Sequence, residues 1–217
     1  MPAQYITGHQ EFWGLGLIVT PAVLIPRPET EHVIESVLDF VARALLPANS
    51  LRIADVGTGS GAIALALAKE LAHAEIHATD ISSPALEIAR ANAACHQFGD
   101  RIQFHQTDLL AGFERNSFDF VVSNPPYVGE SEEDQVQLEV RRFEPRNAVF
   151  AGPMGTEVIE RLIPQARAAL KPGGWLVMEI SGTIAEQVGE LLKDWDQVQV
   201  KPDLRSIPRV AQARKPR

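Results

Sequence analysis

The tetrapeptide Asn124-Pro125-Pro126-Tyr127 carries the groups best suited to chemistry. It follows the apolar run Phe118-Asp119-Phe120-Val121-Val122-Ser123, which reads as a buried strand. That places it at a strand end, where ligands bind in open α/β sheets. Two prolines stiffen the turn and leave their carbonyls without competing local N–H donors. Asn124 adds a side-chain carbonyl, so both hydrogens of a planar NH2 group can be held, one on that side chain and one on the Pro125 backbone carbonyl. Tyr127 offers a flat, largely apolar surface against a planar amide or base.

A residue set of this kind answers a definite chemical problem. An amide nitrogen is a poor nucleophile, because its lone pair is delocalised into the carbonyl. Two acceptors on its hydrogens stabilise positive charge growing on nitrogen during attack. They also hold that nitrogen in line with a reactive methyl, where orientation supplies several kcal/mol of the barrier. No strong base is needed first, since the proton can leave after transfer. Asn124, Pro125 and Tyr127 are therefore the candidate catalytic residues, and Asn124 to Tyr127, with Pro126, the candidate substrate-binding segment.

A second constellation lies upstream. Asp55-Val56-Gly57-Thr58-Gly59-Ser60-Gly61-Ala62 follows one predicted strand and opens a helix. Glycines let backbone approach a ligand closely, and a helix N-terminus offers unpaired N–H groups. Gly57, Thr58, Gly59, Ser60 and Gly61 are the expected cofactor loop. Asp80 ends the next strand, where a carboxylate can accept hydrogen bonds from ribose hydroxyls; a helix-capping role is the alternative, with Ser82 and Ser83 as competing caps. Asp108 falls where a residue could contact an adenine, or is an exposed turn residue. These features indicate an adenosine cofactor and leave NAD and S-adenosylmethionine open; the tetrapeptide favours the latter.

The elements that must position these residues can be read from periodicity. Residues 4–20, with Gly8, Gly14 and Gly16, read as a short hairpin rather than a helix. Pro21, Pro26 and Pro28 punctuate an extended loop. Glu29 to Leu46 has helical spacing. Strands follow at Leu51–Val56, Glu75–Asp80, Arg101–Gln106 and Phe118–Ser123, with helices at Ala62–Leu71 and Pro84–His96 between them. After a long loop come a helix near 155–170, a strand Trp175–Ile180, a helix near 183–194 and two closely spaced strands near 197–202 and 207–213. Alternation of this kind predicts a mostly parallel, doubly wound α/β sheet with an antiparallel C-terminal edge and a small N-terminal β-hairpin.

Composition bounds the rest. With 217 residues, 45% hydrophobic and 22% charged, the chain is long enough for one covered α/β domain. No stretch approaches the roughly 20 apolar residues of a membrane span, and the N-terminus lacks the regions of a signal peptide. One cysteine, Cys95, rules out internal disulfides and fits a reducing, cytoplasmic setting. The six histidines show no ligand spacing, so no metal is expected. No membrane partner is expected, and a net charge of −8 disfavours stable nucleic-acid binding.

Taken with the glycine loop, Asn124-Pro125-Pro126-Tyr127 resembles the S-adenosylmethionine-dependent methyltransferases that act on planar NH2 groups. Within them, Gln4-Tyr5-Ile6-Thr7-Gly8, Glu11-Phe12-Trp13-Gly14 and Leu24-Ile25-Pro26-Arg27-Pro28-Glu29-Thr30-Glu31 are similar to the HemK/PrmC family of release factor glutamine methyltransferases. Arg142-Phe143-Glu144-Pro145 and Asp203-Leu204 with Arg209 resemble it too, so the likeness runs through nearly the whole chain. The resemblance implies a Rossmann-like class I methyltransferase fold, S-adenosylmethionine as cofactor, S-adenosylhomocysteine as product, and class I peptide chain release factors as partners. The acceptor would be the N5 amide of the glutamine in their Gly-Gly-Gln motif. It also implies that Asn124 touches both cofactor and substrate. Leu109 stands where bacterial members often carry Trp beside the adenine, which loosens that packing. Arg27 and Glu29 would shape the mouth of the site or form a structural ion pair.

Family members usually begin with a helical domain that helps dock the release factor, whereas this sequence starts at the hairpin. The expected organisation is thus a hairpin and linker over residues 1–28, without that helical domain, and a methyltransferase domain over 29–217. Competing expectations are an adenine or cytosine amino methyltransferase of nucleic acid, which would need a basic channel, and a dehydrogenase or non-catalytic cofactor-binding protein. Asp203 and Arg209 have no mechanism derivable from sequence.

Overall fold

The computed structural model describes residues 1–44 and 51–217. Leu45 and Leu46, the end of the helix expected over 29–46, lie outside the described residues.

The chain opens with a short helix, α1 (Ala3–Thr7), before the hairpin strands β1 (His9–Phe12) and β2 (Leu15–Ile18). Residues 4–7 were expected within the hairpin. A helical turn wins because Pro2 presets the first backbone angle and Gly8, at φ 75°, closes the last turn through its N–H on the Gln4 carbonyl at 2.8 Å. The Tyr5 hydroxyl then donates to the Val23 carbonyl at 2.6 Å and ties this turn to the proline loop.

A 3-10 turn, Pro28–Thr30, leads into α2 (Glu31–Ala44). The alternating units follow: β3 (Arg52–Val56), α3 (Ala62–Glu70), β4 (Glu75–Asp80), α4 (Ser83–Cys95), β5 (Ile102–Gln106) and β6 (Phe118–Ser123). Each lies within a residue or two of its expected span. The stretch expected as a long loop holds short elements: β7 (Val128–Gly129), α5 (Leu138–Phe143), α6 (Arg146–Val149) and β8 (Phe150–Gly152). β7 and β8 pair, so the excursion returns beside its starting point. Then come α7 (Glu157–Ala169), β9 (Leu170–Glu179), α8 (Ala185–Leu191), β10 (Asp196–Pro202) and β11 (Pro208–Arg214).

β9 starts five residues earlier than expected. Pro172-Gly173-Gly174 looked like a terminator, yet Gly173 at φ 82° and the bare Gly174, whose added Cβ would sit 3.0 Å from the Asp119 carbonyl, let the strand bulge and continue.

The seven-stranded sheet has the order β10-β11-β9-β6-β3-β4-β5. β9, β6, β3, β4 and β5 are mutually parallel, and β10 and β11 are antiparallel, as expected for the C-terminal edge. Alternate strand residues feed two cores. Ile53, Ile76, Phe120 and Val177 face α2 and α3, where Phe12, Leu15 and Leu17 of the hairpin join the same core. Ala54, Val121, Leu176 and Met178 face α7 and α8. Hairpin and sheet thus share one apolar interior.

Asn92 of α4, fully buried, is the polar link between hairpin and sheet. Its Oδ1 accepts from the Ile18 N–H at 2.7 Å, and its Nδ2 donates to the carbonyls of Ile18 at 3.0 Å and Ser60 at 2.9 Å. One amide therefore satisfies hairpin backbone and glycine-loop backbone together.

Candidate active site

The five parallel strands all end on one face of the sheet. There β4, β3, β6 and β9, neighbours in that order, present Asp80, Asp55, Ser123-Asn124 and Glu179. Two cavities open on this face. The larger, about 290 Å³, is lined by Gly57, Gly59, Asp80, Ile81, Asp108, Leu109, Asn124 and Pro126 among others. The smaller, about 140 Å³, is lined by Leu24, Arg27, Asn124, Pro125, Tyr127 and a wall of Val128, Val136, Val140 and Val149. Leu24, Asn124 and Ala148 line both, so Asn124 stands in the partition between them.

The larger cavity has the features of a cradle. Gly57 and Gly59 take φ of 71° and 55°, and a Cβ on either would meet nothing within 4 Å, so bare backbone faces the space. Gly61, at φ 84°, does different work: a Cβ there would lie 2.6 Å from Leu65 and 3.3 Å from Ala89, so it lets α3 and α4 pack closely. Thr58 and Ser60 turn away from the cavity. The Thr58 hydroxyl donates to Asp55 at 2.6 Å, and Ser60 is buried with its carbonyl on Asn92. Of the five loop residues expected to bind, two line the cavity and three build the loop.

Asp80 reaches the cavity and also holds backbone, accepting from the Gly59 N–H and the Ser82 N–H, each at 2.9 Å. Burial raises its carboxyl above the ordinary range. The helix cap is Ser82, whose Oγ accepts from the Ala85 N–H, so Asp80 is free of that duty. Asp108 and Leu109 lie at the rim, with Asp108 ion-paired to Arg161 across the opening.

Asp55 was quoted in the loop motif but not singled out for a role. It is fully buried; Oδ2 accepts from Thr58 and from the Ala64 N–H at 3.1 Å, while Oδ1 has no partner among the described residues. Burial pushes its carboxyl up to about 7. An unpartnered buried carboxylate oxygen asks for a donor, most effectively a cationic one. An acid immediately before a glycine loop at a buried strand end was the available signal.

The smaller cavity depends on contacts that no sequence spacing shows. Asn124 Nδ2 donates to the Thr30 hydroxyl at 3.0 Å, that hydroxyl donates to Glu179 Oε2 at 2.6 Å, and the Tyr127 hydroxyl donates to Glu179 Oε1 at 2.9 Å. Thr30 and Glu179 are buried, at 4% and 1% exposure. Burial raises the Glu179 carboxyl, opposed by both hydroxyls and the Arg209 charge. Glu179 and burial likewise push the Tyr127 hydroxyl up, so it stays protonated. Arg27 forms the ion pair that was one of its two expected roles: it meets buried Glu144, which also accepts from the Ile25 N–H at 3.1 Å. Glu29 acts on this cluster only through its charge. Asp203 caps the turn between β10 and β11 and holds Arg209 Nε at 3.0 Å, which orients that guanidinium toward the cluster.

Among the described residues no cluster of three His, Cys, Asp or Glu side chains could hold a metal ion, and no helix is long and apolar enough to cross a membrane.

Comparison with known proteins agrees with this geometry. Residues 34–142 match the methyltransferase small domain family. In solved structures, the chain is similar to the hMettl16 catalytic domain in complex with an RNA hairpin, with TM-score 0.71, 19% identity, and coverage of 93% of this chain and 76% of that one. It is also similar to a ribosomal protein L11 methylase from Lactobacillus delbrueckii subsp. bulgaricus, with TM-score 0.61, 25% identity, and coverage of 87% and 80%. Both likenesses bear out the Rossmann-like methyltransferase fold. Curated relatives come nearer in sequence. The release factor glutamine methyltransferase of Koribacter versatilis is 54% identical over 216 residues, 99% of this chain and 75% of that protein. Its namesake in Synechocystis sp. is 43% identical over 98% of this chain and 73% of its own length. Parallel sheet, glycine cradle, strand-end tetrapeptide and near full-length identity lead to one conclusion: the chain belongs to the release factor glutamine methyltransferase family, whose cofactor is S-adenosylmethionine.

Proposed function

We propose that this protein transfers a methyl group from S-adenosylmethionine to the N5 amide nitrogen of the glutamine in the Gly-Gly-Gln motif of class I peptide chain release factors, in the cytoplasm. The observation that carries this reading is the position of Asn124 in the partition between a glycine-cradled cavity and a smaller apolar one. One chamber suits the cofactor, the other a single side chain, and they meet at a group able to bind an NH2.

The donor fits the larger cavity by charge and shape. It brings an ammonium and a sulfonium; the wall supplies the Asp80 carboxyl, and the Asp55 carboxyl, fully buried at the base of the glycine loop, adds negative charge beside it. Gly57, Gly59 and Asp80 are assigned to cofactor contact, with Asp108, Leu109 and Asn124 at the adenine and methyl ends. Thr58, Ser60 and Gly61 are assigned to keeping the loop in shape. Bound S-adenosylmethionine supplies a methyl activated on a positively charged sulfur.

The chain's own residues then act on the acceptor. Asn124 Oδ1 and the Pro125 carbonyl take the two amide hydrogens, Pro126 keeps the turn rigid, and Tyr127 covers the amide plane. With the acceptor held in this way its nitrogen lone pair would be aimed at the methyl that bound S-adenosylmethionine would supply, the sulfonium leaving as neutral S-adenosylhomocysteine. Positive charge developing on nitrogen is spread over the two carbonyl acceptors until the proton leaves to solvent. The valine wall keeps water from the reacting nitrogen and packs on the methylenes of the incoming glutamine. Residues 1–28 form the hairpin and linker in this scheme, and 29–217 the methyltransferase domain.

The test is methyl transfer from labelled S-adenosylmethionine to a purified bacterial release factor, beside a variant whose Gly-Gly-Gln glutamine is replaced. Label on the intact factor alone is the expected result. Label on both factors would overturn the assigned site, and label recovered in RNA or DNA would overturn the substrate class.

A further inference from the structure

Resting on the reading that Asn124 receives a substrate NH2, we infer that Glu179 and Thr30 are positioning residues that fix which end of the Asn124 amide faces the substrate. The two ends of an asparagine amide are nearly the same shape and opposite in hydrogen-bonding sense. Only one orientation binds an NH2 group. With Oδ1 toward the substrate, acceptor meets donor; with Nδ2 there, donor meets donor. A turn that merely places Asn124 at a strand end leaves this choice open.

The buried chain of contacts closes it by a counting argument. The two hydroxyls and the Arg209 charge favour the ionised form of Glu179, and an ionised carboxylate only accepts, so with Glu179 ionised its Oε2 takes the single hydroxyl hydrogen of Thr30 across 2.6 Å. The Thr30 oxygen then has lone pairs alone to offer its other neighbour. Asn124 lies 3.0 Å from it and must present Nδ2–H. Oδ1, at the far end of the amide, takes no hydrogen bond from a described residue and is left to the cavities that Asn124 lines. The direction of one proton on Thr30 sets the direction of the amide two atoms away.

Glu179 uses its second oxygen for the same segment, accepting the Tyr127 hydroxyl at 2.9 Å. One carboxylate therefore orders two of the four residues of Asn124-Pro125-Pro126-Tyr127. It can do so because β9, which Glu179 ends, lies beside β6, which leads into Asn124. The charge behind it comes from Arg209, on β11 next to β9 and held by Asp203. Asp203 and Arg209 thereby gain a role: their cation favours the ionised Glu179 on which the counting depends.

The experiment uses the full chain, labelled S-adenosylmethionine and a bacterial class I release factor. Thr30→Val removes the hydroxyl at nearly constant volume, and Thr30→Ser keeps it. For Thr30→Val we expect kcat about 10- to 100-fold lower, with KM for the release factor and S-adenosylhomocysteine affinity within about threefold. Thr30→Ser should return kcat to within about threefold of wild type. A merely structural role would lower folded yield or melting temperature and leave kcat per folded molecule unchanged. A folded Thr30→Val with kcat within about twofold of wild type overturns the inference, as do equal losses in the Val and Ser variants. Glu179→Gln, which cannot impose the direction from both oxygens, is the second variant if Thr30→Val fails to fold, judged by the same limits. A readout without any acceptor accompanies these: exchange of the Asn124 side-chain amide protons, slow in wild type and Thr30→Ser, fast in Thr30→Val or Glu179→Gln. Equal exchange in all forms overturns the inference even if release factor proves not to be the substrate.

Discussion

The two ends of the parallel strands are built on opposite electrical plans. At the N-terminal end the charges carried by the strands β3, β4, β6 and β9 are paired with one another. Arg52 meets Glu75 at 3.0 Å, and Lys171 meets Asp119 at 2.8 Å. Asp119 also accepts the Arg52 N–H at 2.9 Å. His77, further along β4, joins Glu75 at 2.9 Å and His105 at 3.0 Å. At the C-terminal end Asp80, Asp55 and Glu179 make no salt bridge among the described residues, and burial raises all three carboxyls. At one end the strand charges are paired within the chain, while at the other these three carboxyls have no cationic partner and Asp55 Oδ1 has no donor among the described residues. On the proposed function, the difference separates holding the fold from receiving a ligand, since a cationic methyl donor and an NH2-bearing acceptor would meet the second end.

Changes at the C-terminal end should cost function, and changes at the N-terminal end stability. The largest effect is expected from Asn124→Ala. It should lower kcat by about 10²- to 10³-fold, while S-adenosylhomocysteine affinity by calorimetry stays within severalfold. Retained turnover would mean that the Pro125 carbonyl alone suffices.

Asp55→Asn should weaken cofactor affinity by about 10- to 100-fold, the worth of about 1.5–3 kcal/mol for a charged hydrogen bond. It should also make the ligand-free protein more stable at pH 8. Folded Asp55, with its carboxyl pushed up to about 7, binds its proton more tightly than the unfolded chain does. Wild type therefore loses stability as pH rises from about 4 to about 7 through this group. The gap between variant and wild type should narrow as pH falls below about 7 and close near pH 4 in denaturant melts. A gap that is flat with pH would remove Asp55 as its source.

At the other end, Asp119→Ala leaves Lys171 and the Arg52 N–H unpaired. The pair is partly exposed, so a loss of about 1–2 kcal/mol is expected, with kcat per folded molecule unchanged. An altered kcat would break the division between the two ends. The smallest effect concerns His77 and His105, whose imidazoles burial holds below the ordinary range. The unfolded chain takes up those protons first, so stability is lost as pH falls below about 6.5. His77→Phe, which suits the neighbouring rings of Phe113 and Phe118, should make that decline between about pH 6.5 and pH 5 shallower. An unchanged slope would assign the decline to other groups.

Much of this was legible in the sequence, for physical reasons that can be named. Buried parallel strands such as Phe118–Ser123 are short apolar runs, and helices such as Ala62–Glu70 follow glycine turns; both signals are local. So is the tetrapeptide at its strand end. The short helix Ala3–Thr7 was missed because Gly8 reads equally as a hairpin glycine or a helix cap. The start of β9 was missed because Pro172-Gly173-Gly174 is normally a terminator and here serves a bulge. The network behind Asn124 was out of reach altogether. Thr30 lies 94 residues from Asn124 and 149 from Glu179, and only the sheet order makes them neighbours.

The side chain of Asn92 has a consequence beyond packing. Because a single rigid amide grips Ile18 and Ser60 together, the hairpin and the glycine loop form one mechanical body. Any partner that seizes the hairpin is then coupled to the glycine-lined cavity proposed to hold the cofactor, and coupling of this kind is reciprocal. Whatever factor cofactor binding lends to the grip on that partner, the partner must return to the cofactor.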